Sequence, residues 1–594
     1  MGAPQPLRGR PRRGRWRAGA SAAALALGLA SLLAGCGADD ADYAGGDPGA
    51  APPTGNVGFG GAQDIGQFRN ILEAGGIPAA NTLDPAGFFA EHYVELPAPD
   101  CGQPLCLHSM LSIGDSWGDG SYQATLAIAM NTTQVPDSVE PRPRDLVLVV
   151  DTSGSMRQDD RLGYVRDGLN ALVGELNPDD RVALISYSSS AVVHVEFDAE
   201  RDPERDFDTW RDELLAEIQA LEADGSTNLY EGLQIGFEMA STLDAEREAR
   251  VILLSDGQPT AGVTDEREIY KMAEEYLASG IGLTTIGVGL DFNIDLMSGL
   301  AERGAGNFYF LEDPIAAREV FTEELSYFVS PLAMDVTVEV RAGDDFLLGE
   351  AIGTQLWRTE GGVGSMHLPA VFVTSRTTTD PGDDLGRRGG GGTLYVAMLP
   401  TGAVGAEDGQ VAEVRLRYRA PDSDEYTEQQ IAVQSPTAAG ALPDENYYSH
   451  DSMAKQYAMY NLYHGLHRAA LAAEDDYHCA LSLLQDLDAN AEAWNAELDD
   501  ADIAADRALI ALFMDNLRQL GAFDVPVEQQ CSGYYYDDDY YDPYPDEGYY
   551  YDDDYEAGFG CSATGAEQSG AGAAMLLLWG LALLVGRRRR AAHR

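Results

Sequence analysis

The segment Asp145-Leu146-Val147-Leu148-Val149-Val150 constrains this chain more than any other. It has no polar face. Such a run fits a strand covered on both sides, as in the middle of a parallel sheet flanked by helices. The next 180 residues keep to that pattern. A helix is expected over Arg161–Leu176, then strands over Val182–Tyr187 and Val192–Phe197. Helices over Phe207–Leu221 and Leu229–Leu243 precede the strand Val251–Leu254. Helix Glu266–Ser279, strand Leu283–Val288, helix Ile294–Arg303, strand Asn307–Leu311 and helix Ile315–Phe328 complete the series. Apolar runs alternating with amphipathic helices predict a doubly wound α/β domain over residues 143–328.

The flanks read differently. After Pro331 the segments Met334–Val340, Leu394–Met398, Ala412–Tyr418 and Gln429–Val433 are short strands between Gly- and Asp-rich turns. They predict a β-sandwich-like domain over 329–440, with Arg387 to Gly392 as a mobile loop. Helical periodicity returns in 445–525, enough for three helices. The chain is therefore multidomain α/β, with a β-rich and a small helical domain behind the doubly wound one. Ahead of it, residues 37–65 have the Gly/Ala/Pro/Asp composition of a tether. Residues 66–142 give mixed signals: helix over Phe88–Tyr93 and strand over Tyr122–Met130. The stretch 533–558 is nearly all Tyr and Asp, with Tyr534–Tyr540 echoed in Tyr549–Tyr555, and reads as a self-repelling spacer.

The apolar strand ends at Asp151-Thr152-Ser153-Gly154-Ser155. In doubly wound folds ligands bind beyond the carboxyl ends of the strands, where this loop falls. A carboxylate and two hydroxyls at i, i+2 and i+4 on a turning loop can face one point, and Gly154 lets the backbone bend between them. Two more segments reach that end: Gly225-Ser226-Thr227-Asn228 opens a helix, and Asp256 follows the strand Val251–Leu254. Oxygen-only donors suit a hard cation, Mg²⁺ first, with Ca²⁺ or Mn²⁺ as substitutes. The order D-x-S-x-S, threonine, aspartate resembles the von Willebrand factor type A (VWA) family and its metal-ion-dependent adhesion site (MIDAS). The resemblance runs from about Arg144 to Phe328. It implies that Ser153, Ser155 and Thr227 bind the metal directly, and that Asp151 and Asp256 act largely through water. It also implies that a partner's Asp or Glu completes the coordination.

Both ends of the chain carry export signals. Six arginines between Arg8 and Arg17 precede the apolar run Ala20–Leu33 and then Leu33-Ala34-Gly35-Cys36, which resembles a bacterial lipobox with Cys36 as the lipidated residue. Cys561, the apolar stretch Ala573–Val585 and Arg587–Arg590 resemble the myxobacterial C-terminal sorting tail, spanning 559–594. Residues 1–36 are thus a lipoprotein signal, and the body is expected at the outer membrane or cell surface, held by lipid or tail. The remaining cysteines, Cys101, Cys106, Cys479 and Cys531, are even in number, as disulfides in an exported chain require. Four allow three pairings; nearest-neighbour pairing keeps each bridge inside one domain.

With 97 acidic and 39 basic residues the net charge is −58, which excludes nucleic acid as a partner. Scattered histidines lack zinc-protease spacing, and neither a G-x-S-x-G elbow nor a Walker pattern occurs, so no enzyme is expected. The function expected is metal-dependent binding of another protein at the cell surface. The rival is a structural envelope protein whose metal only locks the fold. A cofactor role beside an AAA+ ATPase sits poorly with export.

Overall fold

The computed structural model describes residues 55–523 apart from 118–120, 135–142, 198–205, 242–246, 257, 278–280, 290–291, 312–319, 322–330, 375–388, 402–408 and 422. Cys36, Cys531, Cys561, both terminal signals and the Tyr/Asp tract lie outside the described residues. So does the helix expected over Ile315–Phe328, except for Val320 and Phe321, which are buried.

The chain opens with strands β1 (Gly55–Gly58) and β2 (Gly61–Ala62), helices α1 (Gly66–Glu73) and α2 (Pro85–Ala90), and strands β3 (Cys106–Asp115) and β4 (Tyr122–Thr132). Helix α2 starts earlier than its apolar residues suggest. Asp84 caps it by accepting from the Gly87 N–H, and Pro85 takes the first helical position, where a missing N–H costs nothing. Strands β1 and β2 fall inside the stretch expected to be a tether.

The α/β series comes next: β5 (Arg144–Asp151), α3 (Arg161–Gly174), β6 (Arg181–Tyr187), β7 (Ala191–Val195), α4 (Phe207–Ala220), α5 (Leu229–Ala240), β8 (Glu248–Ser255), α6 (Glu266–Leu277), β9 (Gly282–Val288), α7 (Ile294–Arg303) and β10 (Asn307–Leu311). The sheet order is β2-β10-β9-β8-β5-β6-β7, parallel except for the edge strand β7. Every residue of β5 is buried. Leu146, Leu148 and Val150 face a core with α3 and α4, while Val147 and Val149 face another with α5, α6 and α7. Full burial of each such side chain contributes about 1.5–3 kcal/mol, and it is available only because helices cover both faces. The predicted doubly wound domain is therefore present, and its expected strands and helices from Asp145 to Leu311 fall within a few residues of those observed.

After it the chain forms β11 (Ala333–Ala342), β12 (Phe346–Ile352), β13 (Arg358–Glu360), β14 (Val363–Val373), β15 (Thr393–Pro400), β16 (Gln410–Arg419), β17 (Tyr426–Gln434) and β18 (Tyr447–Tyr448). They do not close a sandwich alone. One half has the order β12-β15-β4, with β3 on the far side of β4; the other is β14-β11-β16-β17. Strand β1 joins them, pairing Asn56 with Asn131 of β4 and Val57 with Val373 of β14. The interior mixes residues from both sides of the α/β domain, such as Leu111, Leu126 and Ile128 with Val338, Leu368 and Val414. Residues 66–142, expected to be a small region of their own, are thus shared out. The α/β domain is an insertion within the sandwich.

The glycine run at 389–392 differs from expectation as well. Gly390 donates to the Ala90 carbonyl at 2.8 Å, and Gly392 to the Val57 carbonyl at 2.9 Å. A Cβ on Gly390 would lie 2.1 Å from the His92 carbonyl oxygen. The glycines allow close backbone packing here, not mobility.

Helices α8 (Met453–Asp475), α9 (Tyr477–Leu498) and α10 (Ala501–Gln519) form the expected helical bundle. Asp476 and Asp500 cap the second and third. Their core takes in Phe68, Phe88 and Phe89 from the N-terminal segment and Tyr395 and Ile352 from the sheet. Polar contacts add direction: His92 Nε2 is hydrogen-bonded to Asp506 at 2.7 Å, and Lys455 Nζ pairs with Asp502 at 2.7 Å and Asp500 at 2.8 Å. Cys101 and Cys106 form a disulfide. Cys479 is also disulfide-bonded, and its expected partner Cys531 lies outside the described residues. Among the described residues no helix is long and apolar enough to cross a membrane.

Candidate metal centre

Strands β5 and β8 are neighbours in parallel register, with Val150 opposite Leu254. Their carboxyl ends therefore deliver Asp151 and Asp256 side by side. Asp151 is fully buried, and its two oxygens accept from the Ser153 N–H at 2.8 Å and the Ser255 hydroxyl at 2.9 Å. The Ser153 and Ser155 hydroxyls lie 2.9 Å apart, and Ser155 donates to Asp256 Oδ1 at 2.8 Å. Four of the five residues singled out in the sequence thus share one continuous polar network.

Thr227 reaches the same place through its backbone. Its loop is tied to the Asp151 loop by two hydrogen bonds, Gly154 N–H to Gly225 O at 3.0 Å and Asp224 N–H to Thr152 O at 2.7 Å. A third, from the Asn228 N–H to Ser188 O at 2.7 Å, ties it to the end of β6. Gly225 has φ +89°, the left-handed conformation glycine tolerates, and this turns the loop toward Gly154. Thr227 is buried, and its N–H donates to the Thr260 hydroxyl at 2.9 Å.

The electrostatics suit a cation. Burial pushes the Asp151 carboxyl up to about 6; its hydrogen bonds pull the other way, and nearby Asp256 adds to the rise. A buried carboxylate with a carboxylate neighbour is stabilised by positive charge placed between them. The same surroundings raise the Tyr187 hydroxyl well above its usual range, chiefly by burial and then by Asp151. Among the described residues no three His, Cys, Asp or Glu side chains form a metal-holding group. A cation here would rest on hydroxyls as well as carboxylates, which suits a hard ion with oxygen ligands and retained water.

This strand-end loop with its threonine and second aspartate lies within the match to the family model described as von Willebrand factor type A domain, over residues 146–258. The chain contains a VWA domain. Among curated relatives, the Escherichia coli K12 protein YfbK is 29% identical over 198 residues, covering 33% of each chain. Human inter-alpha-trypsin inhibitor heavy chain H2 is 23% identical over 221 residues, covering 34% of this chain and 21% of that one. The chain thus spans a third or less of the length of these two relatives. Of solved structures, a von Willebrand factor type A protein from Catenulispora acidiphila aligns with TM-score 0.43 and 14% identity, covering 68% of this chain and 90% of that one. Mussel proximal thread matrix protein 1 with a zinc-occupied MIDAS motif aligns with TM-score 0.27 and 16% identity, covering 32% and 48%.

Two residues of the VWA site do not stand out in the sequence. Ser255 offers a weak signal there, as a hydroxyl beside Asp256. Arg161 offers a better one. It is the first residue of α3, whose first turn holds no acidic residue. A cation there opposes the helix dipole, so something outside the helix has to hold it. That group is Asp256: Arg161 NH1 meets its Oδ2 at 3.0 Å, both side chains nearly fully buried.

Proposed function

We propose that this chain binds another protein through a divalent cation held at the ends of β5 and β8. The observation that carries the reading is the joined network Asp151–Ser153–Ser155–Asp256, with the Thr227 loop tied to the Asp151 loop by backbone hydrogen bonds. Ser153, Ser155 and Thr227 would hold Mg²⁺ directly, and Asp151 and Asp256 would hold its waters. The bound ion would supply a Lewis-acidic position open to a partner's Asp or Glu carboxylate. The chain's own residues do the rest: Ser255 and the Ser153 N–H orient Asp151, and Arg161 orients Asp256. Ca²⁺ and Mn²⁺ satisfy the same donors.

The role is binding, not catalysis. Lipidation at Cys36 and processing at Cys561 belong to the same reading, which puts the domain at the bacterial cell surface, where divalent ions and foreign carboxylates are available. The test is capture of envelope proteins on full-length protein in Mg²⁺ or in EDTA, with Asp151→Ala alongside. A specific protein retained in Mg²⁺ and lost in both EDTA and the variant is expected. Retention by Asp151→Ala after its metal is gone would overturn the reading in favour of a metal that only locks the fold.

A further inference from the structure

We propose that Arg161 sets the charge of the metal centre, offsetting Asp256 so that a bound cation keeps enough positive character to recruit an anionic ligand. The proposal rests on the metal-binding reading above and concerns how that site is tuned. Arg161 is placed for this and not for its helix. The guanidinium donates to Asp256 Oδ2, on the side of the carboxylate away from Ser155, which takes Oδ1. Both partners are nearly inaccessible to water, so the pair acts at low dielectric and reaches the ion site largely unscreened.

A second feature shows that the backbone makes room for it. Gly289, one residue past the end of β9, has φ +84°, and a Cβ there would fall 2.4 Å from Arg161 Nε. The guanidinium thus lies against Gly289, where a side chain would displace it. Among the described residues of the centre, Asp256 and not Asp151 receives the hydrogen bond of the Arg161 guanidinium. With Asp256 partly offset, Asp151 is the main negative charge left to satisfy a divalent ion. A site poorer in negative charge holds metal less tightly and leaves the metal more attractive to an incoming carboxylate.

This predicts opposite effects on two affinities, which a merely structural role would not produce. Mg²⁺ alone is titrated calorimetrically into metal-free full-length protein, with and without acetate as the carboxylate probe. In the wild type, acetate should strengthen apparent Mg²⁺ binding. Arg161→Gln should bind Mg²⁺ about tenfold more tightly, because the ion now compensates an unpaired buried carboxylate, and should lose the acetate effect. Arg161→Lys, which keeps a charge at that place, should stay near wild type in both. If Arg161→Gln does not fold, Gly289→Ala carries the test: it displaces the guanidinium without removing it and should shift both affinities in the same directions. Folded variants that bind Mg²⁺ as wild type does, or more weakly, would overturn the proposal. A wild type that binds no Mg²⁺ would overturn the metal-site reading itself.

Discussion

Strand β5 carries a buried aspartate at each end, and the two are treated in opposite ways. At the amino end Asp145 is enclosed by permanent cations: Arg181 donates to both its oxygens at 2.7 and 2.6 Å, and Arg247 adds a third bond at 2.8 Å. At the carboxyl end Asp151 is equally buried, yet its oxygens accept from an N–H and a hydroxyl, with no arginine or lysine bonded to them among the described residues. Burying a carboxylate is costly unless charge or hydrogen bonds compensate. One end of the strand is compensated by the fold. The other is met only by neutral donors among the described residues. Burial alone therefore does not distinguish a structural carboxylate from a functional one; the identity of its partners does.

Removing each carboxylate in turn tests this difference most directly. Asp145→Ala leaves Arg181 and Arg247 facing a buried gap and should cost about 3–5 kcal/mol in urea unfolding. Asp151→Asn in metal-free protein should cost less than about 1 kcal/mol, since one hydrogen bond at most is exchanged. Equal losses at both ends would mean that Asp151 is structural too.

A third buried carboxylate extends the contrast to pH. Glu302 on α7 accepts from the Thr354 hydroxyl and from the Gln355 N–H at 2.9 Å, where the VWA domain meets the sandwich. Burial pushes it up to about 7, and Asp84 nearby, also raised by burial, to about 6. The fold therefore retains a proton that the unfolded chain releases near the ordinary glutamate value of 4.5. Stability must fall as pH rises from there through 7, by about 3 kcal/mol for Glu302 alone. Glu302→Gln should remove most of that slope from unfolding curves taken across the window. A slope unchanged by the substitution would show that Glu302 ionises normally.

Metal should then distinguish Asp151 from both. Mg²⁺ at 100 times its dissociation constant should stabilise the wild type by about 2.7 kcal/mol, and Asp151→Asn hardly at all, as read by thermal unfolding with and without EDTA. The smallest effect belongs to Arg157, just beyond Ser155. Its pair with Asp224 is solvent-exposed at 3.2 Å. Arg157→Ala should change stability by less than about 1 kcal/mol. A larger loss would mean that this pair, like Arg161, belongs to the site.

What could be read from the sequence depended on the range of the interactions. The elements of the VWA domain and four members of its polar network are local matters: each apolar run is followed by its own helix, and each residue of the network sits at a strand or helix end. The sandwich was less legible. Leu126 and Ile128 show where a strand is, but not that its neighbour is Val396 across the whole inserted domain. The same limit hid the use of Gly390, which makes sense only beside His92. Arg161 was hidden for another reason: its partner is close in space, but a helix-start arginine reads as a poor choice until Asp256 is seen.

The insertion has a consequence for how the protein is made. Strand β4 pairs Ala129 with Thr393, so it leaves the ribosome about 260 residues ahead of its neighbour, roughly 15–50 s at typical rates of synthesis. During that time the VWA domain can fold, whereas the β3–β4 hairpin, with Leu111, Leu126 and Ile128 facing a core that does not yet exist, must wait. The sandwich is thus the last part to close and the part that most needs protection during biogenesis, even though its first strands are made before the domain it encloses.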